Sequence, residues 1–170
     1  MREHPILFSA PMIIAIQEER KTVTRRTSER WDKVQPGDLL WAKETFAIVG
    51  EGAPDAYPEM HYRADGKSRE FSVPSNHSDL VDNHFPYPGP WKPSIFMPRA
   101  HSRITLEVVS VRKERLQEIT ESEAELEGFA PTPESSAVGN FATLWAKLNA
   151  KTHPWDSNPL VRRIEFRRVG

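Results

Sequence analysis

The stretch from Ser102 to Arg115 places the tightest limit on how this chain can fold. Ile104, Leu106 and Val108 alternate with Thr105 and Glu107, which is the period-two pattern of a strand with one buried and one wet face. Val109 and Val111 follow out of phase, and a bulge near Val108 and Val109 accounts for the change. A strand of this kind needs antiparallel neighbours and an apolar layer under one face. Candidate partners are Pro5 to Ser9, His61 to Arg63, and Leu160 to Val169, where Val161 and Arg163 oppose Arg162, Ile164 and Phe166. The turn Gln35-Pro36-Gly37-Asp38 launches a further strand over Leu39 to Phe46. Lys21 to Arg26, with its Thr and Val residues, favours an extended chain.

Three helices interleave with these strands. Ser9 caps one with Met12, Ile13 and Ile16 on its buried side. Thr120-Glu121-Ser122-Glu123 is a capping box that opens a short helix through Glu127, stopped at Gly128. Phe141, Leu144, Trp145 and Leu148 mark an amphipathic third helix. The order of elements predicts an α+β class with a mostly antiparallel sheet, curled into a small β-barrel with flanking helices. The 170 residues suit one domain, 1–170. A loop-rich insertion interrupts it at about 50–90, where Pro74, Pro86, Pro88 and Pro90 leave little regular pattern. Pro93 and Pro98 limit the pairing of the segment that follows.

Net charge is −1, so nucleic acid would have to be met by a local patch. Three patches exist: Arg20, Lys21, Arg25, Arg26 and Arg30; Arg99, His101, Arg103, Arg112, Lys113 and Arg115; and Arg162, Arg163, Arg167 and Arg168. Each suits a solvated face equally well. No window of about 18 apolar residues is present, so no membrane span is expected. Ile6 to Ile16 lacks a signal-peptide cleavage pattern. Cysteine is absent, which excludes disulfides and thiolate metal sites and makes the cytosol the expected compartment. The histidines at 4, 61, 77, 84, 101 and 153 lack paired metal-ligand spacing, so no metal is expected. His77, Asp79, Asp82 and His84 form a weaker loop alternative. Without a G-x-G-x-x-G or P-loop, no nucleotide cofactor is expected, and none of another kind.

Several of these segments taken together resemble the ASCH domain, a member of the PUA-like superfamily. They are Glu19-Arg20-Lys21-Thr22-Val23-Thr24-Arg25-Arg26, Pro36-Gly37-Asp38 before Leu39-Leu40-Trp41, Ile104 to Val108, and Ile164-Glu165-Phe166. The resemblance covers nearly the whole chain outside about Gly50 to Pro90 and is nearest to ASCH proteins of phages and prophages. For a phage-encoded protein the compartment is the bacterial host's cytosol. One ASCH branch, the small bacterial N(4)-acetylcytidine amidohydrolases, carries a G-R-K-T-x-T-x-R segment and a downstream acid. Lys21 and Thr24 match its lysine and second threonine, and Glu127 aligns best with the acid, with Glu123 and Glu125 nearby. Glu19 stands where that branch has Gly.

The resemblance implies catalytic roles for Lys21, Thr24 and Glu127. A threonine hydroxyl needs a neighbouring base, and a lysine supplies one when burial and nearby cations lower its pKa. A carboxylic acid can protonate the leaving amine. Lys21 and Thr24 stand three apart, so in a regular strand they face opposite sides and converge only if the segment turns, bulges or ends a helix. Arg20, Arg25, Arg26, Trp41, Lys43, Glu44 and Arg103 are candidate contacts to RNA or a modified nucleoside. Trp41 can stack on a base or fill the core; Lys43 and Glu44 alternate in face, so only one points inward. The competing readings are a nucleic-acid-binding module, an N(4)-acylcytidine amidohydrolase, an ASCH-type ribonuclease, and a phage accessory protein that binds a host protein. Lys21, the arginines and the threonines also suit plain phosphate contacts and strand positions.

Overall fold

A computed structural model describes residues 1–49, 59–70 and 91–170. The expected insertion at about 50–90 lies largely outside them, as does the cluster of His77, Asp79, Asp82 and His84. The strands are β1 (Glu3–Leu7), β2 (Val23–Arg26), β3 (Leu39–Lys43), β4 (Phe46–Val49), β5 (Glu59–Tyr62), β6 (Ser68–Glu70), β7 (Thr105–Arg115) and β8 (Leu160–Arg168). The helices are α1 (Ala10–Gln17), α2 (Glu121–Leu126) and α3 (Ala137–Asn149). A five-stranded sheet runs in the order β1-β3-β7-β8-β2, and a three-stranded sheet in the order β4-β5-β6. The class is therefore α+β, and among the described residues the ladder does not return from β2 to β1 to close a barrel. None of the described helices is long and apolar enough to cross a membrane.

The chain divides into two compact units. The first comprises residues 1–4, 15–40 and 104–170; the second comprises residues 5–14 and 41–103. In the first unit, β7 pairs with β8 antiparallel, and the register slips between Val108 and Ser110. Val109 is the extra residue and points outward, 47% exposed, which is the bulge expected from the phase change. Pairing of β8 with β2 sets Val23 opposite Glu165 and Thr24 opposite Ile164. The turn before β3 is pinned by Asp38, fully buried, whose carboxylate accepts from the Arg2 amide at 2.8 Å and lies 3.1 Å from His4 Nε2. Its carbonyl accepts from the Val108 amide, so one residue ties the starts of β1 and β3 to β7.

A satellite core of Leu116, Ile119, Ala124, Phe141, Trp145 and Val161 holds α2 and α3. The burial stripe of α3 runs Ala137, Phe141, Trp145 and ends there, so Leu148 is 70% exposed and not on the buried face expected of it. The reason is local. After α3 the chain folds back so that the His153 carbonyl accepts the Trp145 indole N–H, and Trp155 packs edge-on against Phe141. The cover sits over Trp145, one turn short of Leu148.

The second unit corrects another expectation. Leu39 to Phe46 is not one strand: β3 ends at Lys43, and β4 begins in the other sheet at Phe46. Glu44 stands at the break, buried, with both carboxylate oxygens on Arg103 at 2.8 Å. The pairing satisfies a charge that would be costly to bury alone. Phe46, Met60, Tyr62 and Met97 form this unit's core.

Two left-handed residues shape the approach to Lys21. Glu19 (φ 58) ends α1. Its amide donates to the Ile16 carbonyl and the Arg20 amide to the Ala15 carbonyl, the pair of bonds of a Schellman turn. Gly128 (φ +94) ends α2, and a Cβ there would lie 3.1 Å from Ala15 Cβ and 3.4 Å from Lys21 Cβ. Two substitutions should therefore act in opposite directions. Gly128→Ala is expected to destabilise by about 1–3 kcal/mol through strain and crowding. Glu19→Gly is expected to stabilise by up to about 1 kcal/mol by relieving the left-handed strain. Urea unfolding midpoints measure both, and equal midpoints for the two variants would contradict this account.

Candidate active site

Lys21 enters the site from the Schellman turn. Its amide donates to the Ala15 carbonyl, and it forms a backbone bridge to Glu127 just before β2. The neighbouring Thr22 amide donates to the Leu126 carbonyl, so the end of α2 is laced to the start of β2. Side chains follow the backbone. Lys21 Nζ donates to Glu127 Oε2 at 2.6 Å, to the Glu127 carbonyl at 2.9 Å and to the Val23 carbonyl at 2.7 Å. Both side chains are almost wholly buried, at 3% and 4% exposure. Burial drives the Lys21 pKa below its ordinary value; Glu127 opposes that shift, and Arg26 and Arg25 add to it. A lysine in this setting gives up its proton more readily than one in water.

Arg25 lies four residues on and returns to the same carboxylate. Its Nη1 donates to Glu127 Oε1 at 3.2 Å, its Nε to Glu114 Oε1 at 2.8 Å, and its Nη2 to Glu123. With 1% of its side chain exposed, Arg25 sits among three carboxylates and is not presented to a phosphate. Glu123 is shared in turn with Arg163 at 2.8 Å and Arg112 at 3.2 Å. Burial pushes the Glu123 pKa up, but the hydrogen bonds from Arg163 and Arg25 outweigh it and hold the group at about 2. Glu165 accepts from Arg163 at 3.1 Å and from the Ser110 hydroxyl at 2.9 Å.

The remaining residues of the basic segment fall elsewhere. Thr24 is buried in β2, and among the described residues its hydroxyl makes no hydrogen bond to Lys21 or Glu127. Arg26 is half-buried near Glu127 and Arg30, and burial lowers its pKa to about 10. Its guanidinium lies 5.8 Å from the Trp31 ring, and that of Arg30 lies 4.5 Å from it. Arg20 is half exposed and bonded to Glu18. A cleft of about 290 Å³ opens beside the pair, lined by Ile16, Glu19, Lys21, Thr22, Leu106, Phe166, Arg167 and Arg168. Thr22 faces this cleft; Thr24 is not among its walls.

Trp41, Lys43, Glu44 and Arg103 form a separate constellation in the second unit. Lys43 Nζ lies 5.4 Å from the Trp41 ring and donates to the Ile95 carbonyl. Arg103 is committed to Glu44 and to Asp65, at 2.8 Å from each, and stacks 4.0 Å from the Tyr62 ring. Burial of the Arg103 guanidinium is more than offset by these two carboxylates, so its pKa is raised. Glu44 and Arg103 thus satisfy each other, while Trp41 stays half-buried beside Lys43 and Arg99.

Of the carboxylates behind Glu127, the sequence points to Glu123 but not to Glu114. One signal was present: Glu123 stands four residues before Glu127, one helical turn, so both point to the same side of α2. Glu114 and Arg163 carried no such mark, because they reach the site only through the β7–β8 register. Among the described residues no group of three or more His, Asp or Glu is placed to hold a metal ion.

No protein-family model matches the chain, and no curated protein does. Solved structures do. The crystal structure of hypothetical protein PH0355 aligns over 99% of this chain and 100% of its own length, with a TM-score of 0.52 at 10% identity. That likeness shows a shared fold and nothing finer. An ASCH domain from Lactobacillus crispatus JV V101 aligns over 98% of this chain and 79% of its own, with 13% identity and a TM-score of 0.46. At that score the pairing carries no structural argument.

The Glu123 cluster gives the first unit a definite acid response. The folded pKa of Glu123, about 2, lies below its ordinary 4.5, so the group adds stability above about pH 4.5 that is lost as pH falls toward 2. The contribution is on the order of 3 kcal/mol at most. Glu123→Gln should lower stability at pH 6 by an amount of that order, and the gap to wild type should close between pH 4.5 and 2.5. Urea unfolding across that range tests it; a gap independent of pH would contradict the assignment.

Proposed function

We propose that this chain is an ASCH-type, PUA-like protein that takes up a modified nucleoside and hydrolyses its N(4)-acyl amide with Lys21, Thr24 and Glu127. The observation that carries the reading is the buried Lys21–Glu127 contact at 2.6 Å. It joins two residues 106 positions apart that the family resemblance had paired on sequence alone. In the proposed reaction the proton shared by the pair passes from Lys21 to Glu127, leaving a neutral amine and a carboxylic acid. The amine takes the Thr24 hydroxyl proton as the oxygen bonds to the acyl carbon. Glu127 gives its proton to the departing N(4) as the C–N bond breaks. Water then hydrolyses the acyl-threonine, and the site returns to its starting state. The Thr24 hydroxyl has to reach Lys21 in the substrate complex, since catalytic hydrogen bonds often tighten only there.

A second reading, a non-catalytic module that binds RNA or a modified nucleoside, is favoured by one specific observation. All three Lys21 N–H groups already have acceptors, and none of these is Thr24. One experiment separates the two. Purified protein is incubated with N(4)-acetylcytidine, and cytidine and acetate are quantified alongside equilibrium binding of the nucleoside. The enzyme reading predicts turnover, with Lys21→Ala, Thr24→Ala and Glu127→Ala each lowering kcat by at least about a hundredfold. Thr24→Ala is the cleanest of the three, because it disturbs no ion pair. Binding without turnover by the wild type would sink the enzyme reading and leave the module.

A further inference from the structure

We propose that Arg25 is the positioning residue of this site: its guanidinium fork, anchored on Glu114 and Glu123, fixes Glu127 so that one of its oxygens faces Lys21. The role rests on the reading of Lys21 and Glu127 as a reactive pair, and it removes Arg25 from the phosphate contacts expected of the basic segment. Three features of the geometry carry it. First, the two oxygens of Glu127 are divided between two cations, Oε2 to Lys21 at 2.6 Å and Oε1 to Arg25 at 3.2 Å. A carboxylate held at both ends has one orientation. Second, the other Arg25 donors go to Glu114 at 2.8 Å and to Glu123, so the fork is itself held from β7 and α2. Glu123 is braced further by Arg163 on β8. Third, the Arg25 side chain is 1% exposed, so incoming solutes do not compete for it.

An arginine suits the task where a lysine does not. Three acceptors surround one planar group, and the fork satisfies them from fixed directions. The charge has a further effect. Among the described residues, Glu127 from the end of α2 and Arg26 and Arg25 from β2 act on the Lys21 charge, Glu123 and Glu114 stand behind Arg25, and Glu19, Arg167 and Arg168 line the cleft beside Lys21. Because Arg25 shares Glu127, that carboxylate binds the Lys21 proton less firmly than an unshared one. Removing Arg25 takes away one of the two cations bonded to Glu127, while Arg163 and Arg112 still hold Glu123 and Arg112 still holds Glu114.

The test uses the full chain with Arg25→Gln and Arg25→Lys, each checked for folding by its melting transition. Lys21 is titrated by NMR through the carbon and nitrogen of its amine end, and kcat and KM are measured on N(4)-acetylcytidine. In Arg25→Gln the Lys21 pKa should rise, because one of the cations that lower it is gone, and kcat should fall at least about a hundredfold with KM changed less than about threefold. Arg25→Lys should bring the Lys21 titration back toward wild type while kcat stays low, because charge returns but the fork does not. A folded Arg25→Gln with unchanged Lys21 titration and kcat would overturn the proposal. If Arg25→Gln does not fold, Arg25→Lys decides, and full kcat in that variant overturns it. If the wild type shows no turnover, the amidohydrolase reading fails on its own. The Lys21 titration then judges the clamp alone, a rise supporting it and no change overturning it.

Discussion

The buried contact between Lys21 and Glu127 organises the first unit. Two charges at 3% and 4% exposure are costly to take out of water, and their mutual attraction rarely does more than break even. Such a pair persists when its surroundings complete it. Here the Glu127 and Val23 carbonyls accept the remaining Lys21 donors, and Arg25 takes the free Glu127 oxygen. Removing one member of a buried pair typically costs about 3–5 kcal/mol, because the other is left uncompensated. The backbone repeats the connection, with a bridge between the same two residues and the Thr22 amide on the Leu126 carbonyl. Gly128, with its left-handed backbone, lets the Lys21 stem pass at van der Waals distance.

Around that contact the charges alternate. Lys21, Glu127, Arg25, Glu123, Arg163 and Glu165 follow one another through hydrogen bonds from the end of α2 across β2 to β8. The basic segment and the acidic helix, which look like separate solvated faces in the sequence, are largely two halves of this one network. Its consequence for function is that most of the positive charge of Lys21 to Arg26 is answered within the chain. Arg167 and Arg168, from the last strand, line the cleft together with Lys21, and Arg167 is bonded in turn to Glu107.

The parts of the fold legible in the sequence were those governed by local rules. The Thr120 cap and the stop at Gly128 place α2, although the Glu123 carboxylate turns to Arg25 and Arg163 and does not close the expected capping box, and the phase change in β7 places its bulge. Alternation and caps depend on near neighbours, so they can be read along the chain. Leu148 and the break after Lys43 were not legible, because each depends on a distant partner: the fold-back that covers Trp145, and Arg103 meeting Glu44. The same division holds for the site. Lys21 and Glu127 were found through family resemblance, and Glu123 was marked by its helical spacing. The roles of Glu114 and Arg163 follow only from the β7–β8 register. In the sequence Arg25 shows only its charge, which suits a phosphate, and not the three carboxylates around it.

The central claim is that Lys21 and Glu127 serve a nucleophilic Thr24. It is tested most directly by trapping the intermediate: acid quenching during turnover of N(4)-acetylcytidine, followed by mass spectrometry of the intact protein and its peptides. The account predicts a gain of one acetyl group on Thr24, absent from Thr24→Ala. Turnover with the acetyl group on Lys21, or with none on the protein while Thr24→Ala stays fully active, would contradict it.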